Sequence, residues 1–240
     1  MEMDIIISGG TAVDGTGAPG FKADVGIKDG KLVAIGDLSR CQAAIRLKVP
    51  NRFVTPGFID LHSHSDFTLL SDSRAVSKVS QGVTTEVIGN CGFSPAPVSP
   101  SRLDALREYV KPLSYGMQWR WWTLDNFLSV LEEERVSCNI VPLSAHGTIR
   151  LVVMGFENRD PSVEEMEQMK QLVREDMEAG AFGFSTGLIY APGCYAKPSE
   201  IIALTEVVAE YEGFYASHIR DESARLIEAM KEALDIGKRA

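Results

Sequence analysis

The stretch Thr55-Pro56-Gly57-Phe58-Ile59-Asp60-Leu61-His62-Ser63-His64-Ser65-Asp66 decides how this chain is read. Pro56-Gly57 breaks whatever precedes it, and residues 58–61 form a short apolar run suited to a fully buried strand. Side chains alternate across a strand, so His62 and His64 project to the same side and can grip one metal ion. A His-x-His pair is weak by itself, because two of the four histidines can fall at that spacing by chance. Here the pair follows directly on the C-terminal end of a strand, which is where the chemistry sits in parallel-stranded barrels.

Upstream, residues 4–50 read as short strands punctuated by glycine: Ile5-Ile6-Ile7, then Gly9-Gly10, then Gly15-Thr16-Gly17, then Val25-Gly26-Ile27 turning at Asp29-Gly30 into Leu32-Val33-Ala34-Ile35. Asp-Gly between two apolar runs supplies the positive φ values of a tight hairpin. Residues 1–54 are therefore expected to form a small β-rich domain.

Downstream, over residues 55–240, the rhythm changes to strand, loop, helix, repeated. Strands are predicted at 58–61, 84–88, 139–143, 182–185 and 214–217. Asp160-Pro161 predicts a helix start with Asp as the cap and Pro in the first turn, while Val163, Met166, Met169, Leu172 and Val173 line one face and Gly180 closes the element. A last helix from about Glu222 is expected to bury Leu226, Ile227, Met230 and Leu234. This alternation predicts an α/β fold, a parallel sheet with helices outside. Five βα units are visible where a closed barrel needs eight, so the edges of strands one and five are expected to be unpaired and the sequence to be incomplete as a functional unit.

At 240 residues and 45% hydrophobic content the chain can bury a substantial core. A net charge of −9 without any Lys/Arg cluster provides no footprint for a nucleic-acid backbone. The acidic start leads straight into a strand and lacks the basic region and long apolar stretch of a signal peptide, and no apolar run approaches the ~20 residues that span a bilayer. The expectation is a cytosolic protein with neither nucleic acid nor membrane as partner. Cys41, Cys91, Cys138 and Cys194 are too scattered for a disulfide framework, so each is a small buried residue or a ligand.

Chemistry-bearing residues recur at the predicted strand ends. Cys91, in Gly89-Asn90-Cys91-Gly92, follows the second strand; it reads either as a buried thiol at a tight turn or, from its position at the same rim as the histidines, as a ligand suited to a divalent transition metal. His218 follows the fifth strand as His62 follows the first, and is read as a ligand. Two residues on, Arg220 would either clamp a substrate carboxylate or pair with Asp221 or Glu222. His146, after the third strand, lines the same mouth or serves as a structural hydrogen-bonding group, and Tyr190, after the fourth, touches substrate or packs. Trp119, Trp121 and Trp122 form a lid or a packing cluster. No dinucleotide fingerprint or nucleophile elbow is present.

The Pro-Gly-x-x-Asp-x-His-x-His strand resembles the amidohydrolase superfamily, metal-dependent hydrolases on a (β/α)8 TIM-like barrel with a small β domain. Within it, Gly89-Asn90-Cys91-Gly92-Phe93-Ser94-Pro95-Ala96-Pro97, Phe184-Ser185-Thr186-Gly187-Leu188-Ile189-Tyr190-Ala191-Pro192-Gly193 and Ser217-His218-Ile219-Arg220 look like the N-acyl-D-amino-acid deacylases, or D-aminoacylases. The resemblance runs from the first strand to the last helix. It implies zinc as cofactor and a small N-acyl-D-amino acid as substrate. It further implies that Cys91 and His218 ligate a tight zinc, that His62 and His64 with a shared Cys91 make a second, weaker site, and that Tyr190 helps hold substrate. It also implies a β domain normally completed by a C-terminal segment. Most superfamily relatives bridge two metals through a carboxylated lysine on the fourth strand, whereas residues 182–187 contain no lysine. A sixth-strand histidine and the general-base aspartate of the eighth strand would lie beyond residue 240. The chain alone is thus expected to be inactive, or to be completed by a second polypeptide or by self-association. The rival expectations are a cyclic-amide hydrolase of the dihydroorotase or hydantoinase kind and a non-catalytic fragment or subunit.

Overall fold

The computed structural model describes residues 2–114 and 117–240. Contacts divide the chain into two units, Met1–Gly57 and Phe58–Ala240.

The first unit is built of strands: β1 (Met3–Ser8), β2 (Thr11–Ala12), β3 (Phe21–Lys22), β4 (Asp24–Lys28), β5 (Lys31–Gly36), β6 (Ala43–Lys48) and β7 (Phe53–Val54). One sheet has the order β5-β4-β1-β6 and the other β3-β2-β7. The β4–β5 hairpin turns at Asp29 and Gly30, both left-handed with φ of 50° and 69°, as the Asp-Gly pair predicts. The parallel pairing of β6 with β1 has no local signature. It joins residues about forty apart, and only the folded sheet brings them together.

The second unit alternates strand and helix: β8 (Phe58–Asp60), α1 (Val76–Val79), β9 (Val83–Ile88), α2 (Leu103–Val110), α3 (Leu124–Glu133), β10 (Asn139–Pro142), β11 (Ser144–Ala145), α4 (His146–Met154), α5 (Val163–Glu178), β12 (Gly183–Gly187), α6 (Pro198–Ala209), β13 (Phe214–His218) and α7 (Leu226–Arg239). All its ladders are parallel, in the orders β10-β9-β8 and β11-β12-β13. The third predicted strand is divided. Its first part pairs with β9 and its second with β12, and the change of partner falls beside Pro142, which has no N–H to donate. Leu143 still donates to the Ile88 carbonyl and Phe182 to the Pro142 carbonyl, so the wall continues across the break.

Several sequence expectations change on contact with the structure. The cap of α5 is Ser162, not Asp160: its hydroxyl accepts the Glu165 N–H at 3.2 Å and the Glu165 carboxylate accepts the Ser162 N–H at 2.8 Å. Arg159 grips the same carboxylate and, with that hydrogen bond, holds it down to about 2. The predicted buried strand at 58–61 lies at a sheet edge, with Phe58, Ile59 and Leu61 all more than half exposed. On α7 the buried residues are Ala229 and Ile236, whereas Ile227, Met230 and Leu234 stand 58%, 47% and 61% exposed because no described element packs on that stripe. Trp121 belongs to the packing reading: it is buried against Trp119 and Phe127, and its indole N–H donates to the Pro95 carbonyl at 2.8 Å.

Arg220 is likewise a strut. Its Nε donates to Glu232 of α7, Nη1 to the Cys194 carbonyl at 2.8 Å, and Nη2 to Glu232 and the Ala196 carbonyl, both at 2.9 Å. The structure thus shows Arg220 bracing α7 and the 194–196 segment, and neither Asp221 nor Glu222 is its partner. Arg220→Ala leaves Glu232 without its cation and frees the 194–196 segment. The expected result is a destabilisation of about 2 kcal/mol and a thermal midpoint lower by roughly 5 °C, measured by calorimetry.

Asp176 of α5 is fully enclosed and accepts the Ser144 hydroxyl at 2.7 Å. Burial pushes its carboxyl up to about 7, with the neighbouring Glu175 charge adding to the rise and Ser144 opposing it. A carboxyl raised in the folded state favours folding while protonated, so its stabilising effect declines from about pH 4 and is gone above about pH 7. Asp176→Asn should remove that decline. Its thermal midpoint is expected to exceed the parent's by roughly 5 °C at pH 8 and to match it near pH 4.

Candidate metal centre

The second strand ends in a turn whose backbone is left-handed at Gly89 (φ 77°), Cys91 (φ 56°) and Gly92 (φ 72°). The glycines are required by space as well as by φ: a Cβ at Gly89 would collide with the Leu143 carbonyl, and one at Gly92 would sit 2.9 Å from the Gly187 nitrogen. This turn returns Cys91 to the rim, where Sγ lies 3.2 Å from His62 Nε2 and 3.6 Å from His218 Nδ1. One ligand atom each from His62, His64 and Cys91 fall within 4.8 Å of one another. His218 joins this triplet through the thiol, so Cys91 stands between the histidines of the first strand and that of the fifth.

Hydrogen bonds tie the ligand-bearing loops together. Asn90 donates through Nδ2 to the Val87 carbonyl at 2.9 Å and to the Ser63 carbonyl at 3.4 Å. The Gly89 N–H donates to Asp66, whose carboxyl burial raises well above the usual range. Ser185 on β12 closes the cysteine turn from the opposite side, its hydroxyl donating to the Gly89 carbonyl and accepting the Gly92 N–H. These groups carry no catalytic signature in sequence. Serine and asparagine in a turn-rich stretch look like ordinary loop composition.

The donor set suits a cation. His64 Nδ1 is buried without a hydrogen-bond partner among the described residues. An enclosed imidazole nitrogen left unpaired beside a thiol and a second imidazole is what a metal ligand looks like before it binds. Nitrogen and sulfur donors match zinc. Without a cation the cluster disfavours charge: burial, followed by the Glu222 carboxylate, pushes the Cys91 thiol up to about 11, while burial and then the charges of His62 and His218 pull His64 below its ordinary value. A divalent ion would reverse the balance at the thiol.

Tyr190 places its hydroxyl 3.3 Å from His218 Nδ1 and its ring 5.2 Å from Phe93, which stacks on Tyr109. Glu222 Oε1 lies 3.2 Å from His218 Nε2. His146 is elsewhere. Fully buried, it sets Nε2 2.9 Å from Glu200 Oε1, which also accepts Arg150 Nε at 3.0 Å, so it acts as an interior polar tie and does not line the mouth. Arg220 is turned toward Glu232 and the 194–196 segment.

Known proteins resemble this chain along nearly its whole length. The D-aminoacylase of Alcaligenes xylosoxydans xylosoxydans is 38% identical over 239 residues, covering 98% of this chain and 48% of that protein. A solved D-aminoacylase structure, described for the functional role of its binuclear metal centre, superposes with a TM-score of 0.90 at 37% identity, covering 99% of this chain and 49% of the other. The N-acyl-D-glutamate deacylase of Bordetella bronchiseptica, complexed with zinc and a phosphonate inhibitor, gives 0.88 at 35% identity, covering 99% and 49%. The chain spans about half the length of the curated relatives it matches. Its fold is accordingly α/β, the first five βα units of a TIM-like barrel of amidohydrolase type preceded by a small β unit. Among the described residues no helix is long and apolar enough to cross a membrane. Residues 50–235 match the amidohydrolase family from the end of the β unit to the last helix, and this chain belongs to that family.

Proposed function

We propose that this chain carries the metal-binding part of a zinc-dependent hydrolase that cleaves the amide bond of N-acyl-D-amino acids, releasing a D-amino acid and a carboxylate. The observation that carries the reading is Cys91, whose thiol stands within 3.2 Å of His62 and 3.6 Å of His218. In this assignment Cys91 and His218 contribute to a tight zinc, and His62 and His64 with the shared Cys91 make a second, weaker site. Bound zinc supplies a water whose pKa falls toward ~7 and polarises the scissile carbonyl.

The chain's own residues orient that chemistry. The Tyr190 phenol, beside His218 and braced on Phe93, holds the substrate. Residues 182–187, on and beside β12, contain no lysine where a cyclic-amide hydrolase would present a bridging one, which favours linear amides. The remaining zinc ligand and the general-base aspartate are assigned to sequence outside these 240 residues, in the same or a second polypeptide.

Equilibrium dialysis of the purified chain against zinc, followed by metal analysis, tests the assignment. Zinc should be retained, and Cys91→Ala should weaken it on the order of a hundredfold; equal retention by Cys91→Ala would overturn the site. An N-acetyl-D-amino-acid assay, with the L-isomer as control, is expected to show no turnover by the chain alone. Turnover would refute the placement of the base.

A further inference from the structure

We infer that Glu86, a carboxylate lodged inside β9, is the positioning residue that sets His62 and His64 for metal, acting through the hydroxyls of Ser63 and Ser65. This role rests on the metal site proposed above.

The segment His62-Ser63-His64-Ser65 alternates imidazole with hydroxyl. Both hydroxyls converge on one oxygen: Ser63 Oγ lies 2.7 Å and Ser65 Oγ 2.5 Å from Glu86 Oε2, and the two hydroxyls are 2.7 Å apart. The Ser65 N–H donates to Ser63 Oγ at 3.1 Å. With the serines drawn inward onto β9, the imidazoles are left as the segment's unspent polar groups, His62 Nε2 against Cys91 and His64 Nδ1 enclosed without a partner.

Lys78 of α1 completes the brace. Its ammonium lies 3.3 Å from Glu86 Oε2, 2.5 Å from Asp60 Oδ2 and 3.2 Å from Ser63 Oγ. Asp60 in turn accepts the His62 N–H at 3.2 Å. One buried charge and its counter-ion thereby touch residues 60, 62, 63 and 65 of the ligand segment, directly or through a single intermediary.

Glu86 is fully buried, and a buried ion pair adds little stability that a well-packed apolar side chain would not. What an apolar residue cannot do is accept from both serines. Groups behind metal ligands that fix their orientation typically control affinity by about 10- to 100-fold, and Glu86 stands one residue further back with two arms.

The test compares the parent chain with Glu86→Gln, Ser65→Ala and Ser65→Thr, reading zinc affinity by chelator competition and the thermal midpoint of the metal-free protein. Glu86→Gln keeps the shape and removes the charge, and should weaken zinc about tenfold. Ser65→Ala should weaken it several-fold with its metal-free midpoint unchanged, and Ser65→Thr, which keeps the hydroxyl, should retain parental affinity. Parental affinity in both Glu86→Gln and Ser65→Ala would overturn the inference, as would an affinity loss that only follows loss of metal-free stability. If Glu86→Gln does not fold, the Ser65 pair decides alone. Failure of the parent to bind zinc would instead refute the metal site, and this role with it, whereas zinc bound equally by all four proteins would refute only the role of Glu86.

Discussion

The left-handed turn at Gly89, Cys91 and Gly92 is the constraint on which the site depends. A strand that ended normally would carry the thiol past the rim, and the histidines that follow β8 and end β13 would lack the thiol between them. Turning back requires positive φ at three of four residues, and one of them is a cysteine with a Cβ, a conformation disfavoured by about 1–2 kcal/mol. The turn is stabilised by groups from three directions: Asp66 on the Gly89 N–H, Asn90 on the β9 backbone and the first-strand loop, and Ser185 on both flanking glycines.

Around that turn the unit divides its polar residues by task. A hydroxyl and an amide secure the cysteine turn, where Ser185 and Asn90 satisfy backbone donors and acceptors. The cations near the strand ends are spent on structure. Arg150 and His146 share Glu200 in the interior, Arg220 fastens the 194–196 segment to α7, and Lys78 is enclosed by Asp60 and Glu86. Among the described residues those cations are engaged away from the cluster, whose three imidazoles and one thiol have the composition of a metal centre.

The strand–helix rhythm was legible because its signals are local: five apolar runs at barrel spacing, a Pro-Gly break before the first, and Asp29-Gly30 at a hairpin. The cap of α5 shows the limit of such reading. Asp160 and Ser162 are equally plausible N-caps by type, and the choice falls to Ser162 because Glu165 stands at the third helical position and Arg159 holds it there. The exposed stripe on α7 shows another limit, since a helical apolar period says that a face wants burial and not that a neighbour covers it. The divided third strand was invisible for a similar reason: which partner each part chooses is a property of the sheet.

By itself the sequence determined that histidines and a cysteine stand at strand ends, since alternation and turn chemistry are properties of a few consecutive residues. Tertiary structure alone decided which of the candidates meet. Residues 62, 91 and 218 are brought within a few ångströms by the packing of strands distant in sequence and the turn after β9, whereas His146 and Arg220, equally close to strand ends in sequence, turn toward Glu200 and Glu232. A side chain's direction after a strand is set by the nearest partner that satisfies it, and here those partners lie 54 and 12 residues away.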